Sequence, residues 1–140
     1  MKIEEQVLSI EQMKHLQELG VDTSDASMCW LDFEDNNPME VAVFNLDFKF
    51  GHPMCKVYPT YTIGDLIEKL PKKFDFGYGE YKLNILIMGE YTEVQYTDGS
   101  DYTPLYYSQL TLLRLLYQTL CEIAEKHKEL LNRSEERRVG

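Results

Sequence analysis

The stretch TPLYYSQLTLLRLLYQTLCEIAEKHKELL, residues 103–131, decides the fold that the sequence predicts. Thr103 can cap a helix with its hydroxyl, and Pro104 suits the first helical position, where no N–H is needed. Apolar residues follow at helical spacing in two adjacent stripes, as in a helix that packs across a sheet. One stripe holds Tyr106, Leu110, Leu113, Tyr117, Leu120, Ala124 and Leu131, and the other holds Leu105, Leu112, Leu116, Ile123 and Leu130. We therefore predict one long C-terminal helix.

The preceding residues predict the sheet on which this helix packs. Ser9 followed by Gln12 is a capping box that starts a first helix, and Gly20 ends it. Thr62 followed by Asp65 starts a second helix in the same way. Apolar patterning predicts four strands, at residues 28–34, 41–50, 81–88 and 91–97. We expect an α+β fold in the order α-β-β-α-β-β-α, with helices packed on a mainly antiparallel four-stranded sheet.

Three details qualify this outline. In the second strand, Val41 and Val43 have the opposite phase to Phe44 and the apolar residues after it, which suggests a bulge or an edge. Residues 55–58 suggest only a short extended piece. The stretch KKFDFGYGE, residues 72–80, is expected to be an aromatic, glycine-containing loop.

Size and charge limit the class of protein. The chain has 140 residues and a formal charge of −10, which predicts a single α+β domain over residues 1–132. No apolar run approaches the roughly 18 residues of a membrane span. Lys and Arg are absent between residues 30 and 48 and between residues 83 and 113, which argues against direct nucleic-acid binding. The acidic N-terminus lacks a signal-peptide pattern, and the odd number of cysteines suits reduced thiols, so we expect a cytoplasmic protein.

Catalytic and metal-binding patterns are weak in this sequence. His52 and Cys55 are three residues apart and could meet Cys29, but a structural zinc site usually needs four ligands. No nucleophile elbow, Cys/His signature or phosphate-binding loop is present. We therefore expect no cofactor, no metal and no assigned catalytic residue. The sequence leaves enzymatic activity open, while favouring a protein that is not an enzyme.

A group of aromatic and acidic residues is the clearest candidate for binding. Exposed tyrosines beside carboxylates suit a protein–protein surface, because tyrosine contributes contact area at a low entropic cost. The same tyrosines could instead belong to the sheet and the core, which tyrosine also favours. The candidate binding residues are Phe74, Phe76, Tyr78, Tyr91, Tyr96, Asp98, Asp101 and Tyr102.

Two stretches carry a resemblance to a known group. LSIEQMKHLQELGVDTSDASMCW, residues 8–30, and YTIGDLIEKLP, residues 61–71, resemble small uncharacterised proteins of gut Gram-negative anaerobes and their phages. That group has no assigned activity or catalytic residue, so none is transferred. The resemblance implies an accessory protein associated with a phage or a mobile element.

The last eight residues, RSEERRVG (133–140), resemble a translation of sequencing-adapter read-through. This resemblance implies that the segment is not native, whereas the alternative is an ordinary charged tail. We predict that it is disordered or only trails the helix.

The leading hypothesis is a small acidic accessory protein that acts by binding another protein, with its oligomeric state open. An acidic mimic that occupies a DNA-binding host protein is a special case of it. The alternative is a small-ligand-binding domain or an enzyme that uses the loop at residues 72–81. A deep pocket with convergent polar groups near that loop would favour the alternative.

Overall fold

The α+β class is confirmed, but the strands form two sheets. The computed structural model describes residues 2–34, 38–75, 79–89, 91–99, 105–109 and 111–131. The chain divides into two compact units, Met1–Asp65 and Leu66–Gly140, which we call the N-terminal and C-terminal units. Each unit holds its own antiparallel sheet, of three and four strands respectively. The prediction of one four-stranded sheet is therefore wrong, because its strands divide between the two. That residues 1–132 form a single domain stays a prediction.

The first α-helix of the N-terminal unit is the predicted capped helix. Its elements are a 3-10 turn (Ile3–Glu5), α1 (Ile10–Glu18), β1 (Met28–Asp32), β2 (Glu40–Val43), α2 (Leu46–Lys49) and β3 (Lys56–Thr60), and α3 (Ile63–Lys69) crosses the boundary between the units. At α1 the Gln12 N–H donates to Ser9 Oγ at 3.1 Å, and the Ser9 N–H donates to Gln12 Oε1 at 2.9 Å. Gly20 follows the helix at a φ of 91°, in the left-handed region that favours glycine. The predicted capping box and helix end are confirmed.

Strand β1 lies at the centre of the three-stranded sheet, in the order β2-β1-β3. Cys29 is paired with Ala42 on one side and with Pro59 on the other, and both Cys29 and Leu31 are buried. The sequence predicted only an extended piece before Pro59, because proline cannot donate to a ladder and argues against a central strand. As an edge strand, β3 accommodates Pro59.

The strand that was predicted at residues 41–50 ends at Val43 in the structure. The prediction that it continues through residues 44–50 is wrong. Asn45 has extended backbone, and its side chain accepts from the Asp47 N–H at 3.0 Å. That contact satisfies a donor that the first turn of a helix leaves free, and the short helix α2 follows. The change of phase after Val43 therefore marks the end of a strand.

The C-terminal unit is a four-stranded sheet with a helix on one face. Its elements are β4 (Lys73–Asp75), β5 (Glu80–Met88), β6 (Tyr91–Thr97), β7 (Leu105–Gln109) and α4 (Leu112–Lys126), and the strand order is β4-β5-β6-β7. Strand β5 therefore has an inner position in this sheet. Helix α4 packs on β6 and β7. Its fully buried side chains are Leu115, Leu116, Thr119, Leu120 and Ile123.

The long C-terminal helix is present but begins later than predicted. Residues Leu105–Gln109 form β7, in which Leu105 pairs with Tyr96 and Tyr107 pairs with Val94. Tyrosine favours strands. The apolar spacing of residues 105–109 also fits a helix, but their pairing with β6 makes them a strand. Residues 103 and 104, the predicted start, lie outside the described residues, as does the tail at 132–140. Within the predicted loop at 72–80, Lys73–Asp75 forms the edge strand β4.

Candidate functional site

The predicted aromatic and acidic residues do not form one continuous site in the described chain. Tyr91 opens β6 with 41% of its surface exposed, and Asp98 follows the end of the same strand. Phe74 belongs to the edge strand β4. Phe76, Tyr78, Asp101 and Tyr102 lie outside the described residues, so their binding role stays a prediction.

Tyr96 was a candidate for the exposed binding surface, but its side chain is buried. Its side chain is fully buried on the face of the sheet that also buries Val94 and Tyr81. Its hydroxyl donates to the carbonyl oxygen of Pro71 at 2.8 Å, and burial raises the pKa of this tyrosine above its usual range. The core interpretation therefore holds for Tyr96, because its phase along β6 turns it inward.

A cleft lies on the C-terminal unit, beside the predicted loop. It has a volume of about 590 Å³. Its lining consists of Glu80, Lys82, Leu83, Asn84, Thr97, Asp98 and Gly99. All of these except Leu83 and Thr97 are exposed, so the cleft is an open depression and not an enclosed chamber. Drug-sized ligands are usually buried over most of their surface, which an open depression does not provide.

Hydrogen bonds of the buried Tyr61 and of Asp65 tie the turn after α1 to the start of α3. The Tyr61 hydroxyl donates to the Asp25 carboxylate at 2.6 Å and lies 2.9 Å from the carbonyl oxygen of Asp22. The Asp65 carboxylate accepts from the Ser27 hydroxyl at 2.7 Å and from the Thr62 N–H at 3.0 Å. Burial, reinforced by Asp25, raises the pKa of Tyr61 above its usual range. These hydrogen bonds join the turn after α1 to the residues at the start of α3.

A second cluster of titratable side chains joins β7 to α4, through Tyr107 and Glu122. The ion pair between Glu122 and Lys126, 2.7 Å apart, lowers the pKa of the Glu122 carboxyl. Burial and the neighbouring Glu122 raise the pKa of Tyr107. Burial also raises the pKa of the Cys121 thiol, which disfavours the thiolate needed for nucleophilic attack. The arrangement suits a structural ion pair.

The structure does not strengthen the case for a metal site at His52, Cys55 and Cys29. Cys29, Cys55 and Cys121 are free thiols, and burial raises the pKa of Cys29. His52 Nδ1 accepts from the Met54 N–H at 3.1 Å, which occupies one ring nitrogen. Among the described residues, no group of three or more His, Cys, Asp or Glu side chains is placed to hold a metal ion.

The most unusual surface is an apolar stretch that the sequence did not single out. We call residues 43–54, from the end of β2 to the turn before β3, the apolar segment. Four of its large apolar side chains are exposed: Val43 by 60%, Leu46 by 72%, Phe50 by 88% and Met54 by 71%. Leu46 and Phe50 are four residues apart around α2, so they lie on one side of the helical turn. Large exposed apolar surfaces often mark interaction sites, which makes this segment a candidate for one.

The apolar segment is held by local contacts. Phe44 and Phe48 are half-buried; the Lys49 ammonium lies 5.7 Å from the Phe44 ring centre, and the Phe48 and His52 ring centres are 5.6 Å apart. The Phe44 N–H donates to the Ser27 carbonyl oxygen at 3.0 Å. The exposed Phe50 directly follows α2, whose neighbouring residues make these contacts.

The comparisons with known proteins add no assignment. No protein-family model matches the chain, and no curated protein or solved structure matches it. Within the described part of the chain, no helix combines the length and the apolar character needed to cross a bilayer.

Proposed function

We propose that this chain is an accessory protein that binds another protein through the apolar segment and is not an enzyme. The observation that carries the proposal is the exposure of Phe50, together with Leu46 and Met54, in and beside the short helix α2. Interface centres are enriched in aromatic residues and methionine, and such side chains dominate binding when they become buried.

The biological setting is part of the same proposal. The resemblance of residues 8–30 and 61–71 to proteins of gut anaerobes and their phages supports an association with a phage or a mobile element. The free thiols suit a reducing cytoplasm. The formal charge of −10 supports a protein partner over direct binding to nucleic acid.

Comparative co-purification from the native host tests the proposal. Tagged wild-type chain is compared with Phe50→Ser, and Ile87→Ser serves as the matched control because Ile87 is 77% exposed in the C-terminal unit. We expect a partner that wild type and Ile87→Ser recover equally and that Phe50→Ser loses. Recovery of the same proteins by all three, or of none, contradicts the proposal.

A second candidate function rests on the cleft of the C-terminal unit. Glu80, Lys82 and Asp98 place charges of both signs around it, which suits a small polar ligand. The chain can be screened against a library of polar metabolites by NMR, with Asn84 and Lys82 amide shifts as the readout. A ligand that shifts these amides, and that Asn84→Leu no longer binds, would support this candidate.

A further inference from the structure

The sulfur-containing side chains of the chain differ widely in their exposure. Among the methionines, Met54 is 71% exposed and Met39 is 40% exposed, whereas only 2% of Met13 is exposed. Among the cysteines, Cys29 is buried and the other two are partly buried. Of the sulfur-containing side chains that the structure describes, the side chain of Met54 is therefore the most exposed.

Oxidation of cysteine and oxidation of methionine need different forms of the sulfur. Attack by a cysteine on a peroxide requires the thiolate, and burial raises the pKa of Cys29 and of Cys121, which disfavours that form. The thioether of methionine reacts in its neutral form, so access is the main limit on its reaction. The exposure pattern therefore favours Met54 as the site of oxidation.

The turn around Met54 is held by the backbone and by His52. The Met54 N–H donates to His52 Nδ1 at 3.1 Å, and His52 pairs with Cys55 across the turn. A sulfoxide on the exposed side chain of Met54 would stay in water, whereas at Met13 it would place a polar group in the core. Oxidation of Met54 is therefore compatible with the folded chain.

We propose that Met54 is a modification site at which a hydroperoxide oxidises the thioether to the sulfoxide, and that this change regulates the apolar segment. With hydrogen peroxide, a sulfur lone pair attacks one peroxide oxygen, so an S–O bond forms and the O–O bond breaks. The other oxygen leaves as water with the proton of the transferred oxygen. Sulfur loses two electrons and the peroxide gains them. A methionine sulfoxide reductase reverses the change, because two thiols become a disulfide and the sulfoxide oxygen leaves as water.

The sulfoxide changes the chemical character of the apolar segment. Met54 shares this segment with Leu46 and Phe50, which a partner would cover, so the regulatory role rests on the proposed function. A thioether can be buried without a hydrogen bond, whereas a sulfoxide oxygen buried without one loses its hydration. Oxidation should therefore weaken the complex by about fivefold or more.

Peptide mapping by mass spectrometry tests the modification site. The full-length chain is treated with hydrogen peroxide, in buffer and in concentrated urea, and sampled over time. In the folded chain, sulfoxide should form at Met54 about tenfold faster than at Met13, and also faster than at Met39. In urea this difference should vanish, because unfolding exposes all three side chains. Earlier oxidation of Met13, Met39 or Cys55 in the folded chain overturns the proposal, and so does an unchanged ranking in urea.

Peroxide treatment of the tagged chain tests the regulatory role. Wild type, Met54→Leu and Met39→Leu are each oxidised, freed of peroxide and compared with their own untreated samples in co-purification. Leucine is close to methionine in volume but has no sulfur. After treatment, wild type and Met39→Leu should recover about fivefold less partner, whereas the recovery by Met54→Leu should not change. Methionine sulfoxide reductase with dithiothreitol should restore the recovery by wild type, and circular dichroism checks that the oxidised chain is folded.

The outcomes separate the modification from the proposed function. Equal recovery of a partner by treated and untreated wild type overturns the regulatory role, while the proposed function stands. An equal loss in treated Met54→Leu means that another residue is responsible and also overturns it. If untreated wild type recovers no partner, the proposed function and the regulatory role both fail. Peptide mapping then decides by itself whether Met54 is the modification site.

Discussion

Helix α4 and the apolar segment are both rich in large apolar residues, and they use them in opposite ways. In α4, Leu116 and its neighbours are fully buried against the sheet of the C-terminal unit. In the apolar segment, Leu46 and Phe50 face solvent. Composition alone therefore does not separate side chains that stabilise a fold from side chains that are available for recognition. What separates them is whether a neighbouring element covers them.

The largest expected effect compares one substitution in both regions. Leu116→Ala should lower the free energy of unfolding by about 2–5 kcal/mol, because it leaves a cavity under α4. Leu46→Ala should change it by less than about 0.5 kcal/mol, because Leu46 is exposed. Urea denaturation of both variants measures the difference. Equal losses would mean that Leu46 is also part of a core.

The next largest effect on stability concerns the hydrogen bonds of the Tyr61 hydroxyl in the N-terminal unit. Tyr61→Phe should cost about 1–2 kcal/mol at neutral pH, because it removes the bond to the Asp25 carboxylate. Since the folded pKa of Tyr61 is raised, its neutral form adds stability that is present below pH 10, the usual pKa of tyrosine, and is lost at higher pH.

The stability difference between wild type and Tyr61→Phe should therefore shrink as the pH rises above 10. Chemical denaturation at several pH values measures it, with Tyr91→Phe as the control at a partly exposed tyrosine. A difference that grows with alkaline pH would contradict the assigned direction of the pKa shift.

A smaller effect is expected at the start of α1. Ser9→Ala removes the acceptor of the Gln12 N–H and should cost about 1 kcal/mol. Ser24→Ala, in an exposed turn, is the control and should be nearly neutral. Thermal unfolding of the two variants is a sufficient measurement, and similar melting temperatures would argue against the capping box.

The smallest expected change in stability is at the centre of the apolar segment. Phe50→Ser should change the free energy of unfolding by less than about 0.5 kcal/mol, because the side chain has little contact to lose. The same variant should lose the partner. A loss of stability above about 2 kcal/mol would mean that Phe50 supports the fold, and the comparison with α4 would fail.

Local signals in the sequence predicted well where the structure is local. In the Ser9–Gln12 and Thr62–Asp65 pairs the hydroxyl oxygen accepts from the backbone N–H three residues later, so each helix start depends only on a short stretch of sequence. The hairpin of β5 and β6 is also short-range. These elements needed no knowledge of distant residues.

Long-range pairing explains the errors. Residues Leu105–Gln109 carry apolar residues that suit both a helix and a strand, and only the partner strand β6 decides between them. The division into two sheets depends on which strands pair, which periodicity does not encode. The exposure of Phe50 was missed for a different, local reason: Phe44, Leu46 and Phe48 alternate as in a strand, whereas Asn45 starts a helix. The Asn45 cap was a readable signal of this change.

Radical footprinting of Phe50 and Met54, read by mass spectrometry, tests the central claim most directly. The chain is labelled alone and in complex with the protein it captures, and Ile87 serves as the exposed control in the other unit. We predict that Phe50 and Met54 are labelled readily in the free chain and several-fold less in the complex, with Ile87 unchanged. Equal labelling of Phe50 in both states would contradict the claim that the apolar segment is the binding surface.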